Sequence, residues 1–306
     1  MNDQSRGAME MTAAMLISGT IGWFVVMSGQ PVQAVVFWRC LFGAATLLAV
    51  CIGLGLFRKQ YLTIRVVALA ALGGVAIVLN WLLLFAAYPR ASISIATAVY
   101  NVQPFMLVGL GALLFGERIT ANKLTWLAVS FAGMLLIVQA KGGATGHSYL
   151  AGIALALGAA FFYAIAAIVA KKLKGVPPHL IALIQVSVGV LMLGFFVDLG
   201  HLPTGASTWA TLTTLGIVHT GLMYILLYSA IQRLPTAMTG ALSFIYPVSA
   251  VVVDCVAFGH RLQPAQMAGA ALILLGAAGM TLGWRILRRR EGSLDGGVAG
   301  KTSQGC

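Results

Sequence analysis

Residues 100–119 read YNVQPFMLVGLGALLFGERI, and residues 243–262 read SFIYPVSAVVVDCVAFGHRL. Each stretch is a long apolar run with one internal proline, Pro104 in the first and Pro247 in the second, and a shift of 143 positions superimposes them. The same shift aligns further identical residues: Ala98 with Ala241, Val108 with Val251, Phe115 with Phe258, Gly116 with Gly259, Arg118 with Arg261 and Gly133 with Gly276. Duplicated, interrupted apolar segments are typical of transporters with internal repeats, whose binding site lies between the two halves.

The composition is that of a membrane protein. Residues of the set AVILMFWYC make up 60% of the 306 residues and charged residues only 8%, and the mean hydropathy is +0.95. Such a chain has too few charges to cover a water-exposed surface. Each of its apolar stretches approaches the roughly 20 residues that span a bilayer as a helix. The ten predicted spans are 9–28, 32–56, 66–87, 91–114, 122–140, 148–171, 178–199, 207–231, 235–258 and 264–286.

The positive charge follows the topology that these spans predict. The chain has 19 Lys and Arg and a net charge of +12, which in a soluble protein would raise the question of nucleic-acid binding. If the N-terminus is cytoplasmic, however, the outside loops hold only Arg90, Lys141 and Arg261, and Arg39 lies within a span. This positive-inside bias predicts that both termini are cytoplasmic, and no nucleic-acid partner is expected.

The duplication predicts two five-helix units. Arg39 aligns with Gln185 at a shift of 146, and Arg90 with Arg233 at 143. Because five is odd, the second unit must enter the membrane from the opposite side, which gives an inverted repeat. The predicted fold is therefore all-α, with ten transmembrane helices in two inverted repeats, 1–143 and 144–287, followed by a disordered cytoplasmic tail at 288–306.

The repeated pattern resembles the EamA unit of the drug/metabolite transporter superfamily. In the first copy the resemblance rests on Gln103-Pro104, on the run Leu113 to Ile119 (LLFGERI) and on the run Ala132 to Leu136 (AGMLL). In the second copy it rests on Tyr246-Pro247, on the run Phe258 to Leu262 (FGHRL) and on the run Leu275 to Met280 (LGAAGM). Within the superfamily the chain looks most like the YddG-type exporters of amino acids and cationic xenobiotics. One position departs from the pattern, because the glutamate present as Glu117 is replaced by His260 in the second copy.

The two prolines are the first candidates for a substrate site. A proline inside a helix removes a backbone donor and displaces the carbonyl four residues earlier. Pro104 and Pro247 therefore predict freed carbonyls at Tyr100 and Ser243, which are equivalent across the repeat. Such acceptors are tolerated at membrane depth where they face a polar cavity or find protein partners, so cavity lining and simple packing kinks are the two alternatives.

Polar and aromatic residues at a similar depth extend this candidate site. Aromatic faces suit a flat or cationic substrate, and side-chain amides can orient a carboxylate or an amino group. An intramembrane amide prefers a cavity or the bundle interior to lipid. The predicted substrate-binding residues are Tyr100, Asn101, Gln103, Pro104, Ser243, Phe244, Tyr246, Pro247, Trp23, Asn80, Trp81, Tyr163, His219 and Tyr224.

The charged residues within the spans are few. Glu10, Asp198 and Asp254 lie away from the expected midplane, where a proton-coupled exporter commonly carries a titrating carboxylate, and this favours facilitated export. Arg39, the one basic residue well inside a span, is assigned a structural role.

No catalytic constellation, cofactor motif or metal site is expected. Cys40, Cys51, Cys255 and Cys306 lack metal-ligand spacing and are predicted to be free thiols. The predicted function is export of amino acids, including aromatic ones, and related small amphipathic or cationic metabolites by alternating access across a bacterial inner membrane. The alternatives are a carrier of nucleotide sugars or sugar phosphates and, from a different class, a membrane enzyme. The expected partners are the small-molecule substrate and the lipid bilayer, and monomer and dimer both remain open.

Overall fold

The structure, a computed structural model, is built of helices. It describes residues 2–91, 96, 99–138, 147–197, 200, 202–258 and 264–285, and no strand occurs among them. The helices are α1 (Asp3–Ser18), α2 (Ile21–Met27), α3 (Val32–Gly53), α4 (Ile64–Ala91), α5 (Gln103–Phe115), α6 (Ala121–Val138), α7 (His147–Lys172), α8 (Pro178–Leu193), α9 (Ala206–Gly216), a π-helix (Ile217–Leu222), α10 (Met223–Arg233), α11 (Thr236–Ser243), α12 (Ile245–Phe258) and α13 (Pro264–Leu282).

Five helical segments are long and apolar enough to cross a membrane: Asp3–Met27, Val32–Gly53, Ile64–Ala91, Tyr149–Lys172 and Ala206–Arg233. Four shorter apolar helices accompany them within the described residues: Gln103–Phe115, Ala121–Leu136, Pro178–Leu193 and Met267–Met280. A helix rises 1.5 Å per residue, so about 20 residues cover the hydrocarbon core. The chain is therefore a multi-pass membrane protein.

The two proline segments are interrupted at equivalent positions. In the first copy the helix is broken at Asn101 and Val102, before α5 begins at Gln103. In the second copy the break is at Phe244, between α11 and α12, and Phe244 is the counterpart of Asn101 at a shift of 143. The duplication therefore extends to the site at which each helix stops and restarts.

Each proline belongs to the first turn of the helix that follows the break. Pro104 is the second residue of α5, and Pro247 is the third residue of α12. This differs from the mid-helix kinks that the sequence predicted. The physical reason is that the N–H groups of a first turn have no intrahelical acceptor, so proline loses nothing there and its fixed φ suits a helix start.

Two of the helices next to the breaks, α5 and α11, cross at a very short interhelical distance. A Cβ added at Gly240 of α11 would lie 3.0 Å from the Cβ of Pro104, and one added at Gly111 of α5 would collide with the side chain of Thr236. Small residues allow two helix backbones to approach closely where the bilayer supplies no hydrophobic force between helices. The crossing therefore joins the two halves of the chain at the level of their breaks.

Glycines also join α6 to α13, the fifth helix of each predicted unit. A Cβ at Gly133 would lie 2.6 Å from the carbonyl oxygen of Gly269, and one at Gly276 would lie 3.0 Å from the carbonyl oxygen of Trp126. Gly133 and Gly276 are equivalent across the repeat. Gly133 and Gly276 thus allow α6 and α13 to pack closely within one chain.

This close packing predicts that two alanine substitutions differ in their effect on stability. Gly133→Ala places a methyl group against backbone atoms of α13 that cannot rotate away, and such overpacking costs about 1–3 kcal/mol. Gly109→Ala, on the exposed face of α5, meets nothing within 4 Å and should be neutral or slightly stabilising, because alanine is the better helix former. Thermal unfolding of the purified protein should show a Tm lowered by several degrees for Gly133→Ala alone. Equal Tm values for both variants would contradict the packing described above.

Candidate functional site

A cavity of about 80 Å³ lies between the two halves, where the breaks in the helices are found. A single water needs roughly 10–15 Å³ by this kind of measure, so the cavity has room for several waters or a small part of a solute. Its wall combines aromatic rings with a few amide and hydroxyl groups. Eight of the fourteen sequence-predicted residues line it: Asn80, Trp81, Tyr100, Gln103, Tyr163, Tyr224, Ser243 and Tyr246.

Arg39 also lines this cavity, although the sequence assigned it a structural role. Its side chain is fully buried. The guanidinium Cζ lies 4.1 Å from the centre of the Trp81 ring, Nε donates to Thr220 Oγ1 at 3.0 Å, and Nη2 donates to the carbonyl oxygen of His219 at 3.2 Å. These contacts hold the guanidinium in one orientation. The hydrogen bond to a carbonyl is consistent with a structural role for Arg39. The side chain is nevertheless also part of the cavity wall.

The carbonyl that Arg39 contacts belongs to the π-helix. A π-helix bonds each N–H five residues back and often occurs at functional sites. Within it, Thr220 Oγ1 donates to the carbonyl oxygen of Leu215 at 2.9 Å. Beside it, a Cβ at Gly43 of α3 would collide with the side chain of Thr220. The close contact of α3 with the π-helix brings Arg39 to the His219 carbonyl.

An amide and several aromatic residues form a further part of the wall. Asn80 Nδ2 donates to the carbonyl oxygen of Ala159 at 2.7 Å and to the Tyr100 hydroxyl at 3.4 Å. The ring centres of Tyr100 and Tyr163 are 6.2 Å apart, and those of Trp81 and Tyr224 are 5.7 Å apart, both pairs in T-shaped geometry. Edge-to-face contacts of this kind stabilise rigid aromatic walls. The cavity can thus present ring faces and edges to an apolar side chain.

Six sequence-predicted residues are not among those that line the cavity: Trp23, Asn101, Pro104, His219, Phe244 and Pro247. Phe244 is fully buried against α6, with its ring centre 6.2 Å from that of Phe131. The His219 ring forms a 2.6 Å hydrogen bond with Thr20 Oγ1, one layer behind the wall. Successive helical residues point about 100° apart, so a neighbour of a wall residue generally faces elsewhere.

Several apolar wall residues were missed by the sequence reasoning. On α4 they are Leu84, Phe85 and Tyr88, which follow Trp81 at the spacing i+3, i+4 and i+7 of a single helix face. On α10, Leu227 follows Tyr224 in the same way. Extending each predicted aromatic residue along its helix face would have found them.

A polar cluster, separate from the cavity, joins three helix ends. Glu117 lies in the link between α5 and α6, and its Oε1 is 2.6 Å from Lys171 Nζ at the end of α7. Its Oε2 accepts from the backbone N–H of Thr236 at 3.0 Å and from Thr236 Oγ1 at 2.6 Å, at the start of α11. Lys171 Nζ also donates to the carbonyl oxygen of Leu234 at 2.9 Å. We call Glu117, Lys171 and Thr236 the helix-end cluster.

The electrostatics of the helix-end cluster favour an ionised Glu117. Burial by itself raises the pKa of this carboxyl, but the hydrogen bonds from Lys171 and Thr236 outweigh burial and hold its pKa below the ordinary value. A carboxylate at a helix N-terminus is further favoured by the helix dipole. The cluster is therefore an ion pair at neutral pH.

Neighbouring polar contacts join more helix ends on the same side. Arg233, at the end of α10, contacts Asp3 at 3.0 Å and Glu10 at 3.4 Å, both in α1. Gln232 Nε2 donates to the carbonyl oxygen of Val176 at 3.1 Å, in the link between α7 and α8. Within the described residues, no group of three or more His, Cys, Asp or Glu side chains is placed to hold a metal ion.

The sequence matches the profile of the EamA-like transporter family twice, over residues 5–139 and 150–282. An uncharacterized transporter of Bacillus subtilis, YxxF, is 28% identical over 291 residues, which cover 94% of this chain and 92% of that protein. A probable amino-acid metabolite efflux pump of Salmonella typhimurium is 29% identical over 63% of this chain and 69% of its own length. The threonine/homoserine exporter RhtA of Escherichia coli K12 is 30% identical over 56% of this chain and 59% of its own length.

A solved crystal structure has the same fold. It superimposes with a TM-score of 0.79 over 90% of this chain and 98% of the other, at 22% sequence identity.

The helix-end cluster predicts a stability effect that depends on pH. Lys171→Gln removes the cation that pairs with Glu117 and should lower the Tm at pH 7, because hydrogen bonds to charged groups contribute about 1.5–3 kcal/mol each. The matched variant Lys172→Gln, at an exposed neighbour, should leave the Tm unchanged. Because the folded pKa of Glu117 is lowered, its contribution is present above the ordinary glutamate pKa and is lost as the pH falls through the lowered value.

The difference in Tm between Lys171→Gln and the wild type should therefore be constant from about pH 6 upwards and shrink only in acid. Thermal unfolding at several pH values measures it. Equal Tm values for the two lysine variants at pH 7 would show that the cluster does not stabilise the fold.

Proposed function

Because the chain belongs to the EamA-like transporter family, we propose that it exports amino acids, including aromatic ones, and related small amphipathic or cationic metabolites. The observation that carries the proposal is the cavity at the two helix breaks, with its aromatic wall and few polar groups. A wall of this composition suits a small solute with a charged head and an apolar side chain. We place the protein in a bacterial inner membrane and assign it transport without a chemical step.

The names of related proteins support this cargo class. One relative is called a probable amino-acid metabolite efflux pump, and another a threonine/homoserine exporter. For this chain, amino-acid export is the function that the cavity and these names support together.

We further propose ten transmembrane spans in two inverted units, 1–143 and 144–287, with both termini in the cytoplasm. In this arrangement α1 with α2 forms span 1, α9 to α10 form span 8, and α11 with α12 forms span 9. The segments predicted to be cytoplasmic do contact one another, as in the pairs Glu117–Lys171 and Arg233–Asp3. Trp126 Nε1 near the start of α6 donates to the carbonyl oxygen of Trp284 at 2.9 Å. Such contacts require these helix ends to share one side of the membrane. The tail, 288–306, lies outside the described residues.

Alternating access would then use the helix-end cluster as its cytoplasmic closure. The cavity wall reaches Tyr88, near the end of α4, and Arg39, in the second turn of α3, both towards the predicted outside. At the predicted cytoplasmic end, Glu117 ties the first unit to Lys171 and Thr236 of the second. We infer that inward opening breaks these contacts. Asp198 and the side chain of Asp254, which the sequence placed away from the midplane, lie outside what the structure describes.

The alternative cargo, nucleotide sugars or sugar phosphates, is disfavoured by the wall. A dianionic phosphate is usually held by several basic groups, and among the residues that line the cavity Arg39 is the one basic side chain. This composition favours a solute with a single anionic group.

The proposed topology predicts the reactivity of introduced cysteines. In a variant without its four native cysteines, Lys172→Cys should resist an impermeant thiol reagent added outside intact cells, because the link after α7 is cytoplasmic. Thr204→Cys, before α9, should react with it. Both positions are exposed in the structure, so burial does not explain a difference. Labelling of Lys172→Cys from outside would refute the ten-span topology.

The proposed transport is tested in proteoliposomes with labelled amino acids, with and without an imposed pH gradient. We expect counterflow of threonine, homoserine or phenylalanine without any gradient. Ser243→Leu fills part of the cavity and should abolish counterflow. Ser207→Leu, at an exposed site, should retain counterflow. Equal transport by both variants would place the pathway elsewhere, and strict dependence on a pH gradient would overturn the facilitated mechanism.

A further inference from the structure

Arg39 brings a positive charge into the cavity, and no acidic side chain that the structure describes pairs with it there. The acidic side chains that the structure describes are engaged at other places: Glu117 with Lys171, and Asp3 and Glu10 with Arg233. A buried charge without a partner of opposite sign is strongly destabilising, because it has lost its hydration. A fixed cation that lines a solute cavity is therefore a binding group for an anion.

The guanidinium of Arg39 also retains unused donors. Its Nε and one Nη2 hydrogen are used by Thr220 and His219, while Nη1 is buried and has no hydrogen-bond partner in the described part of the chain. Arginine offers five N–H donors in a planar fork, and the fork fits the two oxygens of a carboxylate. The end of the fork formed by Nη1 and the second Nη2 hydrogen is thus available to a solute.

Gln103 supplies the complementary acceptor in the same wall. Its side chain is 5% exposed, and its Oε1 is buried without a hydrogen-bond partner in the described residues. A buried amide oxygen without a donor is destabilising, because it has lost its hydrogen bonds to water. An ammonium group, with three N–H donors, would satisfy it.

We propose that the cavity binds the zwitterionic head of an α-amino acid, with the carboxylate on Arg39 and the ammonium on the Oε1 of Gln103. The inference deepens the proposed function and rests on it. The rings of Trp81, Tyr100 and Tyr224, in the same wall, are then the groups assigned to the amino-acid side chain. Cations that lack a carboxylate are disfavoured because Arg39 repels them. This narrows the cargo from cationic metabolites in general to solutes that carry a carboxylate.

The repeat explains why the head binds in one orientation. The counterpart of Arg39 in the second unit is Gln185, which accepts a hydrogen bond from the Tyr228 hydroxyl and is not among the residues that line the cavity. The counterpart of Gln103 is Tyr246, which lines the cavity with a phenol. Both groups assigned to the head therefore come from the first unit, and the pseudo-symmetric site binds an asymmetric ligand.

The test compares three forms of one solute by calorimetric titration of the purified full-length protein in a chloride-free buffer. The forms are L-phenylalanine, its primary amide, which lacks the carboxylate, and 3-phenylpropionate, which lacks the ammonium. Threonine, threonine amide and 3-hydroxybutyrate form a second set. We expect wild-type protein to bind each amino acid about 10- to 100-fold more tightly than its amide.

Substitutions at Arg39 and Gln103 test the carboxylate contact and the ammonium contact separately. Arg39→Gln should reduce the ratio of acid to amide affinity to about one, and Arg39→Lys, which keeps the charge but loses the fork, should retain an intermediate ratio. Gln103→Leu should reduce the preference for the amino acid over 3-phenylpropionate and leave the ratio of acid to amide affinity unchanged. Arg90→Gln removes the same charge at an exposed site and should change neither ratio.

The outcomes separate this inference from the proposed function. Carboxylates that bind through Arg39 without any amino-acid transport would refute the export proposal and retain the anion site. A wild-type ratio of acid to amide near one, or no binding of any carboxylate at 10 mM, would overturn the assignment of Arg39. If Arg39→Gln does not fold, the wild-type ratio and Arg39→Lys still decide the question.

Discussion

Backbone polar groups must find partners inside the protein wherever the solvent is hydrocarbon, and this constraint shapes the centre of the molecule. A helix that stops in mid-membrane leaves unpaired N–H and C=O groups, which lipid cannot satisfy. Here the breaks at Asn101 and Phe244 lie within the bundle, and both residues are fully buried. The first-turn prolines reduce the number of donors that need partners. The only places where the backbone can be irregular are therefore those surrounded by protein or by a polar cavity.

Close helix crossings make this arrangement possible. Gly240 lies close to the backbone of α5 at Pro104, Gly111 makes room for the side chain of Thr236, and Gly133 and Gly276 bring α6 and α13 into backbone contact. The first crossing holds the two breaks close together, and the second packs α6 against α13. The cavity lies beside the breaks, where Tyr100, Gln103, Ser243 and Tyr246 form part of its wall. Its position follows from the packing of the two units on each other.

The two units differ in sequence at two positions that matter for the proposed function. Glu117 has His260 as its counterpart, and Arg39 has Gln185. Consequently the helix-end cluster is built from the first unit's glutamate, and the buried guanidinium belongs to the first unit alone. In the proposed inverted repeat, identical ends would give equally stable closures on both sides of the membrane. Under that proposal, these substitutions let the two closures differ in strength and let the site bind an asymmetric solute in one direction.

The sequence by itself determined the helical membrane fold, the duplication and the positions of the two breaks within a few residues, because apolar length and proline chemistry act locally along the chain. It also indicated eight residues of the cavity wall, since polar and aromatic groups at mid-span have few other places to lie. Only the tertiary structure decided which neighbour faces the cavity: Ser243 does, whereas Phe244 packs on Phe131. The same holds for Arg39, whose place in the wall depends on a π-helix about 180 residues away. Which side chain faces the cavity, and which group it contacts, depends on packing between helices that are distant in sequence. A local sequence pattern does not contain this information.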